Sequence, residues 1–126
     1  MSADIKDRKD IEILVYQFYE RLLHNTKIGF FFTEVEKISL DKHLPIICDF
    51  WEGILFQKDT YKRNTMLKHI ELSRKHRIEE SHFEEWLRLW EKTVAENHKG
   101  PLADLAKKRA NEIGELMKYK ILSDAK

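Results

Sequence analysis

The chain is poor in the residues that punctuate and cross-link small folds. It has one cysteine in 126 residues, Cys48, so an internal disulfide framework is excluded. With four glycines and two prolines it has too few turn formers for a chain of many short strands. Neither charge sign is in excess: 23 basic residues stand against 22 acidic ones and no long basic block occurs, so an electrostatic case for nucleic acid or an anionic membrane is missing. No apolar run approaches the ~18 residues of a spanning helix. The N-terminal "MSADIKDRKD" lacks the apolar core of a secretory signal. The default expectation is one cytoplasmic domain, large enough for one core and one buried pocket. Repeats and low-complexity segments are absent from the sequence, and so are a phosphate loop, Cys-x-x-Cys, His-Glu-x-x-His and a strand-borne nucleophile motif.

What is present is helical periodicity. Ile11, Leu14, Val15, Phe18, Tyr19, Leu22 and Leu23 recur at spacings of three and four, with Asp7 as cap. "TKIGFFFTEVEK" reads as a short buried corner. "SLDKHLPIICDFWEGILFQ" is a second helix, expected from near Asp41 to Phe56 with Pro45 in or near its first turn. A short helix is expected around "TMLKHIEL". The box Ser81…Glu84 is expected to open a helix carrying Phe83, Trp86, Leu87, Trp90 and Val94. Gly100 ends that helix and Pro101 starts the last one. The fold class expected is all-α.

The histidines differ in setting. His24 and His98 end helices, while His76 and His82 lie in polar stretches and are expected to be exposed. His43 and His69 abut apolar faces: Met66, His69 and Ile70 share one side of a helix. An imidazole there is either a hydrogen-bonded core residue or a ligand. Tyr19, His43 and Trp86 are polar-tipped groups on apolar faces of three helices, and each needs a partner when buried. The adjacent glutamates at 79–80 and 84–85 read as a solvated face, and Cys48, in "PIICDFW", as a buried inert thiol. A zinc site would need three or four converging ligands, and His69 and His76 stand two turns apart.

The phrases "LVYQFYERL", "IGFFF", "HLPIICDFWEGILF", "MLKHIEL", "HFEEWLRLWEKTV" and "GPLADLAKKRANEIGELM", in this order, resemble the truncated haemoglobins, and their third group in particular, from about Asp7 to Ile121. The resemblance implies a shortened globin fold, a two-over-two helical sandwich, as a single domain over 1–126 with 1–6 and 122–126 as frayed ends. It implies haem b as cofactor and His69 as the proximal iron ligand, with a neutral imidazole nitrogen bound and the sixth position open. Tyr19, Trp86 and His43 become the distal groups, with His43 a gate where ligand comes in, a group that contacts ligand only in some states, or an iron ligand in the resting protein. Phe32, Phe31, Ile47, Met66, Ile70 and Trp90 become the haem pocket, although Trp90, like Trp51, also reads as core. Lys62, Arg63 and Arg74 are the candidate cations for the haem propionates. His76 is a rival iron ligand if the register slips.

Two features depart from the family pattern: "YKRNTM" replaces a Gly-Asn-Pro-like turn, and His98 stands where an aromatic is common. The implied function is binding of dioxygen, nitric oxide, carbon monoxide, cyanide or sulfide, for transport, sensing or storage. Nitric oxide dioxygenase-like or peroxidase-like chemistry with an electron-donating reductase is the other implied use. Neither nucleic acid nor membrane is an expected partner. The alternative is a haem-free helical interaction module, in which His69 is a hydrogen-bonded core residue.

Overall fold

A computed structural model describes residues 3–31, 40–57 and 78–124. Its described residues form four helices: α1 (Arg8–Leu23), α2 (Leu40–Phe56), α3 (Glu80–Asn97) and α4 (Pro101–Asp124). The expected short helix around His69 lies outside the described residues.

Each helix starts or stops for a local reason. Asp7 caps α1 by accepting from the Asp10 N–H at 3.0 Å, as expected. His24 ends it, its Nδ1 2.8 Å from the Glu20 carbonyl. The following turn is folded by Asn25, whose side-chain oxygen accepts from the N–H groups of Lys27 and Ile28. Gly29 is required there: a Cβ would lie 2.6 Å from the Asn25 carbonyl oxygen and 2.7 Å from that of Leu23.

Helix α2 is described from Leu40, next to the expected Asp41, and holds Pro45 near its start, as expected. The start of α3 differs from expectation. The α3 helix begins at Glu80, ahead of the Ser81…Glu84 box. Its cap is Glu79, whose N–H donates to His82 Nδ1 at 2.8 Å. An imidazole does the work expected of a glutamate, and His82 is half-buried against Phe31 rather than exposed (ring centroids 4.9 Å apart).

Gly100, at φ +147°, separates α3 from α4, and Pro101 takes the first position of α4. Here the chain closes on itself. Asp4 accepts from the N–H groups of Leu102 (3.0 Å) and Ala103 (2.8 Å), which caps α4 from the other end of the sequence. Ala3 pairs with His98, and Ile5 is buried. A Cβ on residue 100 would lie 2.7 Å from the Asp4 side chain, so glycine permits this approach. Residues 3–5 are therefore tied down, in place of the frayed end expected for 1–6. Although partial burial pushes the Asp4 carboxyl up, backbone N–H donors from Leu102, Ala103 and Ile5 outweigh it and hold the group below its usual range.

The helices pack in two layers, with α1 against α2, α3 against α4, α1 on α3 and α2 on α4. Ile11, Leu14, Val15, Phe18 and Leu22 of α1 meet Trp90 and Val94 of α3 and Ala103, Ala106 and Ala110 of α4 in one core. Burying each large apolar side chain contributes roughly 1.5–3 kcal/mol. The small α4 residues let that helix lie close to Trp90, whose N–H donates to the Ala106 carbonyl at 3.1 Å. Trp90 also stacks on Trp51 of α2 at 4.6 Å and meets Phe18 edge-on at 5.1 Å. No helix among the described residues is long and apolar enough to cross a membrane.

Candidate functional site

Helix α2 carries two apolar rows. Cys48, Trp51 and Leu55 are buried in the core. Burial pushes the Cys48 thiol up to about 11, against the opposing pull of Arg8, which fits an inert thiol. His43, Ile47, Phe50 and Ile54 form the neighbouring row at three-and-four spacing, and all four are only half-buried. Ile47, Phe50 and Ile54 pack against the edge of the core and keep part of their apolar surface outside it.

Helix α4 faces part of that row. Phe50 and Ile54 line an open cleft of about 430 Å³ with Arg109, Glu112, Ile113 and Leu116 of α4. At the next turn of contact, Gly114 of α4 lies against Leu87 of α3, a Cβ there meeting Leu87 Cδ1 at 3.6 Å. Leu87 and its neighbour Trp86 are also half-buried.

Two of the polar tips, those of Tyr19 and His43, meet at one end of the row. Tyr19 is buried, and its hydroxyl lies 3.0 Å from His43 Nε2. Burial pushes the Tyr19 phenol far above its ordinary range, so the hydroxyl keeps its proton. It can donate that proton to the imidazole or accept one from it, according to the tautomer of His43. Phe18 links this pair to α3: its ring contacts Tyr19 at 5.5 Å and Trp86 at 6.0 Å, both edge-on. The Trp86 indole N–H donates to no group among the described residues, although indole N–H groups are normally paired when buried.

The distal residues expected from sequence are thus placed as follows. Tyr19 and His43 are in hydrogen-bond contact, and Trp86 is joined to them through Phe18. Ile47 lies one turn beyond His43 on the same row. Phe31 is buried at the corner after α1, stacked on Phe30 at 4.3 Å. Trp90, expected at the pocket, is a core residue with its N–H engaged by Ala106. His69, Phe32, Met66, Ile70, Lys62, Arg63, Arg74 and His76 lie outside the described residues.

Phe50 was expected among the aromatics around a cavity, whereas Ile54 and Ile113 were missed as wall residues of the cleft. Continuing the spacing from His43 through Ile47 and Phe50 reaches Ile54. Nothing in the sequence distinguishes Ile113 from core.

Asn25 and Glu85 brace the corner against α3 beside Trp86. The Asn25 amide donates to Glu85 Oε2 at 2.7 Å, and the Arg88 guanidinium grips the same carboxylate at 2.6 and 2.9 Å. Hydrogen bonds from Arg88 and then Asn25 hold the Glu85 carboxyl down at about 2.

The chain matches no protein-family model. It matches no curated protein. Among solved structures it superposes on the group III truncated hemoglobin from Campylobacter jejuni with a TM-score of 0.83, over 96% of this chain and 95% of that one, at 22% identity. The fold is therefore the all-α, two-over-two fold of a group III truncated haemoglobin.

Proposed function

We propose that the chain is a haem protein that holds a small diatomic ligand, with His69 as the proximal iron ligand and Tyr19, His43 and Trp86 on the distal side. The observation that carries this reading is the pairing of a buried, protonated phenol with an imidazole, linked through Phe18 to an indole N–H that has no acceptor among the described residues. A polar ligand bound beside Trp86 would give this N–H an acceptor. The half-buried row Ile47, Phe50 and Ile54 suits the apolar face of a porphyrin, and the fold shared with the Campylobacter jejuni protein supports the same group.

Haem b, when bound, supplies an iron centre with an open coordination position. This chain's residues act around it. Tyr19 keeps its proton because burial disfavours the phenolate, and offers it as a hydrogen-bond donor. Trp86 can only donate, so together the two favour ligands that carry negative charge. His43 competes for the Tyr19 hydroxyl, and Ile47 limits the space beside it. Two donors favour slow release, which fits sensing or redox chemistry on dioxygen and nitric oxide better than transport. The propionate cations would come from Lys62, Arg63 or Arg74, and turnover would require an electron-donating reductase.

The test is the absorption spectrum of the purified chain, reduced with dithionite, before and after carbon monoxide. A Soret band that shifts with the gas is the expected result. No band after adding haemin would overturn the reading and favour a haem-free interaction module. His69→Gly is expected to lose haem or to need added imidazole to hold it; a normal spectrum without imidazole would remove His69 from the proximal role.

A further inference from the structure

Helix α2 is gripped on the side away from the candidate site. Pro45, Asp49 and Glu52 repeat the spacing of His43, Ile47 and Phe50, displaced by two residues, which is about 200° around a helix. All three are reached by one side chain. Arg8 Nη1 donates to Asp49 Oδ1 at 2.7 Å and to Glu52 Oε1 at 3.1 Å, and Nη2 donates to the Pro45 carbonyl at 3.4 Å. Its Nε faces Glu12 of α1 at 3.4 Å. Glu52 is 7% exposed, so this is not an ornamental surface pair. The planar guanidinium fixes direction as well as charge, which an ammonium would not.

Arg8 opens the same helix that carries Tyr19. Helix α1 therefore holds α2 twice: Arg8 from behind, and the Tyr19 hydroxyl in front at His43. Two packed helices move as bodies, so a shift at one grip is felt at the other. We propose that Arg8 is a positioning residue for the pocket: its fork on Pro45, Asp49 and Glu52 sets the register of α2 on α1, and so sets how His43 meets the Tyr19 hydroxyl. The inference rests on the reading of Tyr19 and His43 as ligand-facing groups, but its first readout does not need haem.

The experiment follows the ¹⁵N resonances of the His43 imidazole in the full chain, and the carbon monoxide association rate where haem is bound. The variants are Arg8→Met, Arg8→Lys, Arg8→Met with Glu52→Gln, and Tyr19→Phe as reference. The double variant leaves no uncompensated carboxylate at 52 and keeps the test valid if Arg8→Met alone unfolds. Loss of the fork is expected to move His43 Nε2 in the direction Tyr19→Phe moves it, and to change the association rate by about tenfold, as small misplacements of working groups do. Arg8→Lys, keeping charge without the fork, is expected to restore stability but not the His43 signal. A folded double variant with wild-type His43 resonances and an unchanged rate would overturn the proposal. A chain that takes up no haem overturns the proposed function, and the His43 resonances then still decide the role of Arg8.

Discussion

Two tryptophans stand one turn apart on α3 and do opposite things. Trp90 is 1% exposed, stacked on Trp51, edge-on to Phe18, and donates its N–H to Ala106. Every part of it has a partner in the core. Trp86 is half-buried, meets the same Phe18 edge-on at 6.0 Å, and its N–H meets no acceptor among the described residues. One helix face thus passes within four residues from a satisfied interior to a half-buried surface whose N–H has no acceptor among the described residues. The difference shows where core ends and site begins more sharply than hydrophobicity does, because both residues are equally apolar in a periodicity plot.

The contrast can be broken at either residue. Trp90→Ala should have the largest effect, lowering unfolding free energy by about 3–5 kcal/mol through the cavity it leaves. Thermal or urea unfolding checks this, and an unshifted midpoint would show that the stack is not central. Tyr19→Phe should leave the fold intact and speed dioxygen release by about tenfold, the loss of one well-placed donor. Stopped-flow release kinetics read this directly, and an unchanged rate would exclude Tyr19 as the principal donor. Trp86→Phe should alter stability by less than about 1 kcal/mol, since one ring replaces another at a half-buried position. It should still speed ligand release several-fold; a large drop in stability with no kinetic change would place Trp86 in the core beside Trp90.

The smallest effect concerns pH, at the brace next to Trp86. The Glu85 carboxyl is held down at about 2 from an ordinary 4.5, with Arg88 as the main cause. A depressed carboxyl contributes stability that is fully present above 4.5 and is lost as pH falls from there toward about 2. Glu85→Gln should therefore flatten the acid side of the stability profile in that window and leave neutral stability within about 1 kcal/mol, because the carboxylate is near the surface and screened. Unfolding midpoints measured from pH 6 downward would test it; an acid limb as steep as in the unsubstituted chain would show that the brace does not contribute.

How much was legible depended on how far apart the partners stand. The Asp7 cap, the Gly100–Pro101 break and the buried faces of α1 and α3 are all set within one or two helical turns, and their residues announced them. The α3 start was misread because an imidazole, His82, replaced the carboxylate that the Ser81…Glu84 pattern offers. The grip of Arg8 on α2 had no local signal, since its partners there are 37 to 44 residues away. Phe50 and Ile54 were legible as apolar but not as half-buried, a property that belongs to the packing of α2 on α4. Of the site, the distal group was readable as residue types on three faces, while the Tyr19–His43 contact belongs to the crossing of two helices.

The Asp4 cap has a consequence in time. Its bonds to Leu102 and Ala103 join residues 98 and 99 positions apart, the longest spans among the hydrogen bonds described. Contacts of such separation close a loop of nearly the whole chain, so they reward the chain only after the helices between them have assembled. During synthesis Asp4 must wait for the start of α4 to emerge. An interaction made that late is absent from most of the folding barrier and present in the finished molecule, so its strength governs how long the native state lasts rather than how fast it is reached.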